Sequence, residues 1–261
     1  MQPHEAEAYR LYARLPVHRR RVERAKAIVR DAVARVPGRW GVGLSGGKDS
    51  VALAHIACAA GWDGPFFHYH APEIPEENTM TALAVGRRLN REVVTALIAG
   101  DWDLWEREGR AIVSAETDHD RRSLARHDRA YRAGISDAVE AAALDGLFWG
   151  MRKDESARRR AVIRTKGTLY RAASRQEWTC HPLADWAGRD VWAYLLAHDL
   201  PWLATYDHAE DREHERSETT YIFGPGGDGI WASGQGQRLR QNNPALWARL
   251  CARWPELRVY G

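Results

Sequence analysis

Six consecutive residues, Ser45-Gly46-Gly47-Lys48-Asp49-Ser50, combine the residue types that bind phosphate groups. The two glycines allow positive φ angles and a close approach of the backbone to a ligand. The hydroxyls of Ser45 and Ser50 can donate hydrogen bonds, and Lys48 can supply positive charge. If a helix follows, its free N–H groups and the positive end of its dipole point at the same ligand. These residues therefore predict a phosphate-binding loop.

Asp49 is the exception in this loop, because a carboxylate repels phosphate. We predict that Asp49 holds Mg²⁺ or braces the loop. The loop is not a Walker A sequence, which needs four residues between its first glycine and Gly-Lys. The alternative is a tight turn between a strand and a capped helix, a common feature of α/β proteins. The complete six-residue string favours phosphate binding.

A second segment, residues 150–159, reads Gly-Met-Arg-Lys-Asp-Glu-Ser-Ala-Arg-Arg. Arg152 and Arg159 can each clamp anionic oxygens through two parallel hydrogen bonds. Glu155 can orient one of these arginines, and Gly150 and Ser156 complete the predicted nucleotide-contacting set. The alternative is a solvated basic loop. In combination with the phosphate loop, this segment is predicted to form the second wall of a single anion-binding site.

Short apolar runs alternate with helical patterns along the first part of the chain. The predicted strands are residues 40–44, 65–69, 92–98 and 147–151, and the predicted helices between them are residues 51–57, 76–90 and 124–144. Strands separated by helices imply right-handed crossovers and a parallel sheet. Ligands of such sheets bind beyond the carboxyl ends of the strands, near the topological switch point. The two segments are therefore expected to face one crevice.

The ends of the chain have different patterns. Two helices are predicted at residues 4–15 and 19–36, and after residue 160 short strands at 169–172 and 178–183 precede helices at 188–198 and from Pro244 to about 254. The glycine-rich residues 224–236 predict a mobile loop or a lid ordered by ligand. We divide the chain into a helical extension (1–36), a nucleotide-binding α/β domain (37–203) and a C-terminal segment (204–261).

Composition excludes several classes. Hydrophobic residues make up 44% and charged residues 28%, as in ordinary soluble proteins. No apolar run reaches the roughly 20 residues of a membrane span, and the N-terminal residues lack the apolar core of a secretory signal. We expect a cytoplasmic protein without a membrane partner. The net charge of +3 is too small to indicate nucleic acid by itself, and three scattered cysteines indicate neither disulfides nor thiolate zinc.

The motifs resemble a known family. The string S-G-G-x-D-S is similar to the loop of the PP-loop ATP pyrophosphatases. The pattern G-x-R-x-x-E-S-x-x-R, the P-L-x-D-W of residues 182–186 and the D-V-W-x-Y of residues 190–194 resemble phosphoadenosine-phosphosulfate (PAPS) reductases over roughly residues 37–203. The resemblance implies a three-layer αβα fold with a five-stranded parallel sheet. It also implies that adenine lies against residues 68–71, including His70.

The chain departs from that family at two places. Reductases attack with the cysteine of a C-terminal E-C-G-L-H motif, which this sequence lacks, and the cysteine pairs of iron–sulfur relatives are also missing. No iron–sulfur cluster is therefore expected. Relatives often carry D-T-G after the second strand, where this chain has His70-Ala71-Pro72, so adenine contacts there would use backbone groups. His68 and His70 could share one strand face, but two histidines are a weak basis for a metal site.

Two classes of function remain. An adenylating transferase would bind ATP and Mg²⁺, let an acceptor attack the α-phosphorus and release pyrophosphate. Sulfur or another group would then be transferred, with a small molecule or nucleic acid as acceptor and a possible sulfur-donor protein as partner. In this reaction Lys48, Asp49, Arg152 and Arg159 would be catalytic. The residues that would hold the pyrophosphate are Ser45, Gly46, Gly47, Ser50 and Lys48. The alternative is a non-catalytic nucleotide-binding subunit of a sulfur-handling or nucleic-acid-modifying assembly.

Contact with nucleic acid is a further possibility. The basic clusters are residues 19–21, 121–122 and 158–160, and the candidate stacking residues are Trp102, Trp105, Trp178 and Trp202. Solvated helix faces and tryptophans of the hydrophobic core explain the same residues and are favoured at this stage.

Overall fold

The computed structural model describes residues 1–71, 74–98, 100–111, 117–171, 177–208, 234 and 236–261. The strands are β1 (Trp40–Gly43), β2 (Phe66–His70), β3 (Val93–Leu97), β4 (Gly146–Phe148), β5 (Leu169–Arg171) and β6 (Trp178–Cys180). The helices are α1 (Pro3–Ala13), α2 (Pro16–Arg35), α3 (Lys48–Ala59), α4 (Glu76–Arg88), α5 (Asp101–Glu108), α6 (Asp118–Ala141), α7 (Ala157–Lys166), α8 (Gly188–Ala197), α9 (Gly236–Asn242) and α10 (Pro244–Arg253). Short 3₁₀ helices cover Ala204–His208 and Pro255–Tyr260.

The strands form one sheet in the order β3-β2-β1-β4-β6-β5. The chain runs outward from β1 through β2 to β3, then returns to the other side of β1 with β4. Both neighbours pair with β1 in parallel, with Val42 opposite Phe66 on one side and Phe148 on the other. The topological switch point therefore lies between β1 and β4. A crevice is expected beyond their carboxyl ends.

Hydrophobic cores cover both faces of this sheet. Because successive side chains of a strand point to opposite faces, Phe66 packs with α2, α3 and α8, whereas Phe67 packs against α6. Phe148 and Leu147 divide between the same two cores. Helices therefore lie on both sides of the sheet, which confirms the expected three-layer αβα architecture.

The number of strands differs from the expectation. Five strands, β3-β2-β1-β4-β6, are mutually parallel as expected, but β5 adds a sixth, antiparallel strand at the edge. Leu169 pairs with Cys180 and Arg171 with Trp178, so β5 folds back onto the next strand along the chain. The five-strand expectation was wrong because it omitted this local edge pairing.

The N-terminal helices are joined to α8 through one buried carboxylate. Asp190 is fully buried and accepts a hydrogen bond from the Tyr12 hydroxyl at 3.0 Å. His18 lies 3.4 Å from the same oxygen, and Arg21 forms an ion pair with the other. Burial raises the pKa of Asp190, but hydrogen bonds from His18 and the Ala187 amide, with the charge of Arg21, leave that pKa below its usual value. The predicted extension is thus tied to the α/β layer.

Most predicted elements are present, with shifted ends. The break near Pro16 is confirmed, since Pro16 begins α2. The predicted strand at 147–151 was wrong at its end, because β4 ends at Phe148 and is followed by a last backbone bond from the Trp149 amide to the Cys180 carbonyl at 2.9 Å. The sequence interpretation missed α5 and α7. In α7 only Val162 and Ile163 are large apolar residues among five basic ones, so a helical apolar stripe is absent.

The C-terminal helices form a core of their own with α5. Leu104 and Trp105 pack with Leu250 and Trp254. The glycine-rich residues 224–236, predicted as a loop or lid, lie outside the described residues apart from Gly234 and Gly236. The three-part division of the chain stays a prediction. Among the described helices, none combines the length and the apolarity needed to cross a bilayer.

Candidate nucleotide-phosphate site

The phosphate loop turns sharply between β1 and α3. Gly46 has φ +83°, and a Cβ atom there would lie 2.4 Å from the carbonyl oxygen of Asn78 in α4. The side-chain amide of Asn78 donates to the Ser45 carbonyl at 3.1 Å. Only glycine meets both the φ angle and the close approach at position 46. The loop is therefore packed against α4.

The two serines of the loop are joined to its backbone. Ser45 Oγ accepts from the Gly47 amide at 3.3 Å and donates to Ser50 Oγ at 3.2 Å. Ser50 Oγ in turn donates to the Gly47 carbonyl at 2.7 Å. Because Gly47 is the N-cap of α3, these bonds fix the first turn of the helix, whose N–H groups have no intrahelical partners. The loop has the arrangement that binds anions at a helix N-terminus.

Lys48 lies beneath the loop rather than on its open side. Its side chain is fully buried, with Nζ 2.7 Å from Asp49 Oδ2 and 6.0 Å from the ring centre of Tyr206. In this arrangement its charge acts on a bound anion through space. The predicted direct contact between Lys48 and phosphate stays a prediction and requires the side chain to move.

Asp49 joins the phosphate loop to the arginine segment. Asp49 Oδ1 lies 2.5 Å from Arg152 Nε. Gly150 makes this approach possible, since a Cβ atom there would lie 3.1 Å from the Asp49 carbonyl carbon. Burial raises the pKa of Asp49, but the charges of Lys48 and Arg152 outweigh it and leave the pKa below its usual value. The carboxylate is therefore held ionised between two cations.

The fit of Mg²⁺ to Asp49 follows from these contacts. Each carboxylate oxygen already lies within 2.7 Å of a cationic nitrogen, Lys48 Nζ or Arg152 Nε. A metal ion could bind only by replacing one of the two. In this arrangement Asp49 braces the loop, the second of the two roles expected for it. The role of metal ligand stays a prediction.

The arginine segment is held rigidly by its own acidic residues. Arg152 is almost fully buried, and its Nη1 lies 2.7 and 2.8 Å from the two carboxylate oxygens of Asp154. Glu155 Oε2 accepts from the Arg152 amide at 2.8 Å and pairs with the Arg159 guanidinium. Ser156 caps α7 by accepting from the Arg159 amide at 3.2 Å. Glu155 therefore orients Arg159, as predicted from the sequence.

The P-L-x-D-W segment supports this loop from behind. The Lys153 amide donates to the Ala184 carbonyl at 3.0 Å, and its ammonium pairs with Asp185 at 2.6 Å. The Gly188 amide at the start of α8 donates to Asp154 at 3.1 Å. Two of the motifs that carry the sequence resemblance, the arginine segment and P-L-x-D-W, are thus in direct contact.

The phosphate loop and the arginine segment line one cleft of about 720 Å³ at the switch point. Of the predicted site residues, this cleft brings together Ser45, Gly47, Asp49, Ser50, Gly150, Glu155, Ser156 and Arg159. Three other predicted site residues are buried next to the cleft and do not line it: Gly46, Lys48 and Arg152. The expectation that both segments face one crevice is confirmed.

His70 does not line that cleft. It lies on the opposite face of β2 from Tyr69 and lines a separate cleft of about 710 Å³ with Thr79 and Arg249. Thr79 Oγ1 is 3.2 Å from His70 and 3.0 Å from His68, whose other ring nitrogen faces the Leu44 carbonyl at 2.8 Å. Burial lowers the pKa of His68. A contact between His70 and adenine stays a prediction, and these histidines support the strands.

Several residues of the cleft were missed by the sequence interpretation. Tyr131, Trp149, Tyr170, His181 and Tyr206 all line it. Tyr69, which belongs to the segment expected to lie against adenine, lines it as well. The position of Trp149 directly after β4 was a usable signal, because residues at the carboxyl ends of parallel strands face the ligand crevice. Tyr131 and Tyr206 carried no local signal, since only the tertiary fold brings them there.

None of the three cysteines, all of which are described, lines the cleft. Burial raises the pKa of Cys180 to about 12, and it also raises the pKa values of Cys58 and Cys251. A thiol with a raised pKa supplies little of the thiolate that acts as nucleophile. These cysteines therefore fit a packing role.

Comparison with known proteins finds several that are similar to this chain in sequence or in fold. A phosphoadenosine 5'-phosphosulfate reductase of Xanthomonas euvesicatoria is 30% identical over 123 residues, 46% of this chain and 46% of the relative. A reductase of Xylella fastidiosa is 25% identical over 181 residues, 66% of this chain and 68% of the relative. The match thus spans about half the length of the Xanthomonas protein. The structure of NMN synthetase from Francisella tularensis superposes with TM-score 0.52 at 13% identity, covering 90% of this chain and 95% of that chain, which shows a shared fold.

The doubly wound sheet and its S-G-G-x-D-S loop define an α/β protein of the PP-loop class. The phosphoadenosine phosphosulfate reductase domain family matches residues 41–212, well over half of the sequence. The chain belongs to this family.

Proposed function

We propose that the chain binds ATP in the cleft at the switch point and splits it into AMP and pyrophosphate, transferring the adenylyl group to an acceptor. The observation that carries this proposal is the contact between Asp49 and Arg152, at 2.5 Å. Through it the anion-binding N-terminus of α3 and the arginine segment face one ligand. Residues over a hundred positions apart in the sequence would then act on one triphosphate.

In the proposed reaction, an acceptor oxygen or nitrogen forms a bond to the α-phosphorus. The bond between that phosphorus and the bridging oxygen breaks, and its electron pair leaves with pyrophosphate while the acceptor loses a proton to solvent. The amides of the loop and the hydroxyls of Ser45 and Ser50 hold the departing pyrophosphate. Arg159 neutralises charge that develops on the phosphoryl oxygens. Arg152 fixes the loop through Asp49.

None of the three cysteines lines the cleft, and burial raises their pKa values, which argues against thiol-dependent reduction of a sulfonucleotide there. Where the acceptor atom is an oxygen, a nucleophile would then attack the carbon that bears it, and AMP would leave with the electron pair of the broken C–O bond. For sulfur transfer, the nucleophile would come from a separate sulfur-donor protein. Mg²⁺ would supply charge neutralisation for the triphosphate when bound. We propose ATP as the nucleotide because the loop string is that of the ATP pyrophosphatases.

The proposal is tested by exchange of labelled pyrophosphate into ATP and by AMP formation, with candidate acceptors added. Arg159→Ala should reduce either rate by about 100-fold, the effect of removing one donor to a developing oxyanion. Arg164→Ala, on the exposed part of the same helix, serves as the charge-matched control and should stay within about twofold. Equal losses in both variants would contradict the assigned role of Arg159. Tight ATP binding without exchange or AMP under any condition would instead indicate a non-catalytic nucleotide-binding subunit.

A further inference from the structure

Positive charge is concentrated in one stretch of the chain. Residues 156–176 contain seven basic residues and no acidic residue, whereas the whole protein carries only +3, so the remainder is net acidic. The described part of this stretch is α7 and β5, which form one wall of the cleft. Among the described residues, Arg158, Arg164 and Lys166 form no ion pair with a carboxylate. A strongly basic surface therefore adjoins the phosphate site.

One face of α7 turns two of these cations into the cleft. Arg158, Val162 and Lys166 follow each other at intervals of four residues, and all three line the cleft. Their backbones span about 12 Å, at 1.5 Å per residue. Arg159, oriented by Glu155, lies at the end nearer the phosphate loop. The cations thus extend away from the triphosphate site rather than surrounding it.

Aromatic side chains line the same cleft. Tyr170 of β5 lies with its ring centre 5.1 Å from Lys166 Nζ and its hydroxyl 3.2 Å from His181 Nε2. Tyr69 and Tyr131 meet edge to face at 6.2 Å. Cations in line with aromatic faces are the combination that binds single-stranded nucleic acid, through phosphates and stacked bases respectively.

We propose that the acceptor is a single-stranded nucleic acid, whose phosphates follow Arg158 and Lys166 and whose bases stack on Tyr170 and on other aromatic side chains that line the cleft. The proposal rests on the proposed function, since it names the acceptor class of that site. A duplex keeps its bases paired and stacked, so it offers a base to rings inside a cleft only at the cost of unpairing and unstacking that base. A small anionic acceptor could contact only one of Arg158 and Lys166, because their backbones lie about 12 Å apart.

The residues that carry this surface differ from those expected for nucleic-acid contact. Trp105 is buried in the C-terminal core, and Trp102 packs against the same core. In the cluster at 19–21, Arg21 pairs with the buried Asp190. Of the three basic clusters, only residues 158–160 adjoin the cleft.

The test measures fluorescence anisotropy of labelled single-stranded DNA, single-stranded RNA and duplex DNA of about 12 nucleotides, a length within the usual site sizes. Binding to the full chain is followed between about 50 and about 200 mM salt, with and without a non-hydrolysable ATP analogue. Arg158→Ala/Lys166→Ala should lower the salt slope by about 1.4, since each phosphate contact to a single strand contributes about 0.7. Arg19→Ala/Arg20→Ala is the matched control for net charge. It should leave the slope unchanged.

Two variants of Tyr170 distinguish the contribution of base stacking to binding from the contribution of positive charge. Tyr170→Leu should weaken single-strand binding by at least about fivefold, whereas Tyr170→Phe keeps the aromatic face and should bind within about twofold. Stronger binding of single strands than of duplex, with these losses, supports the proposal, and the DNA and RNA arms identify the sugar. Failure to bind oligonucleotides at about 50 mM salt, equal losses in both double variants, or equal binding of duplex would overturn it. Calorimetry with ATP alone tests the proposed nucleotide site separately, so the two failures are distinguishable.

Discussion

Replacement of Gly46 by alanine tests the phosphate loop most directly. The residue has φ +83°, where an alanine costs about 1–2 kcal/mol. The added Cβ would also lie 2.4 Å from the Asn78 carbonyl oxygen, so the loop or α4 must shift. A shift of this kind costs about 1–3 kcal/mol. We therefore expect Gly46→Ala to lower the free energy of unfolding by about 2–5 kcal/mol.

Gly61 provides a matched control. It has φ +89°, but a Cβ atom there would meet nothing within 4 Å. Gly61→Ala should therefore lose only the conformational part, about 1–2 kcal/mol. Urea denaturation measures both losses. Calorimetric titration with ATP should show at least about tenfold weaker binding for Gly46→Ala, equivalent to about 1.4 kcal/mol, and no change for Gly61→Ala. Wild-type ATP affinity in Gly46→Ala would refute the assignment of the loop.

The other predictions concern charge, pH and cysteine reactivity. Asp49→Asn leaves the buried Arg152 without one of its carboxylates and should lower the free energy of unfolding by about 3 kcal/mol in urea; an unchanged midpoint would contradict the bracing role. Burial, with the nearby charge of His198, lowers the pKa of His55 to about 4. Between pH 6.5 and 4 the unfolded chain therefore binds more protons than the folded chain, so the folded protein loses stability as the pH falls through that range. In thermal melts over the same pH range, His55→Gln should lose less stability than the wild type. Cys180, with a pKa of about 12, should escape iodoacetamide in the folded protein at pH 8 and react after unfolding, as mass spectrometry of its peptide would show.

The elements that the sequence predicted well are those with strong local patterns. The buried strand before Ser45 and the helix after it follow from a short apolar run and a glycine turn, and they fix the position of the loop. By contrast, α7 was missed because its two large apolar residues, Val162 and Ile163, form no apolar stripe among five basic residues. The short strands at 169–172 and 178–183 were predicted, but no local pattern in either segment specifies their antiparallel pairing, in which Tyr170 lies opposite Thr179.

At the site, too, the features set by local sequence were predicted, and those set by tertiary packing were not. Motif positions identified the two segments, and the switch point of a parallel sheet correctly predicted that they meet. The side of the sheet that each residue faces was harder to predict. His70 and Tyr69 are neighbours on β2 and point to opposite faces, and only the packing of α6 and α10 decides which face adjoins which cleft. The burial of Lys48 likewise depends on Tyr206, far away in the sequence.

The contacts between the N-terminal helices and Asp190 determine where a stably folded fragment of this protein can begin. The region shared with the family starts at residue 41, yet Tyr12, His18 and Arg21 all contact a carboxylate that has no solvent exposure. Cutting before β1 would remove these three partners and expose the core that Ala25, Val29 and Ala32 of α2 complete, against a net stability of about 5–15 kcal/mol for a typical domain. We therefore expect a recombinant fragment to need both leading helices in addition to the region that matches the family, residues 41–212.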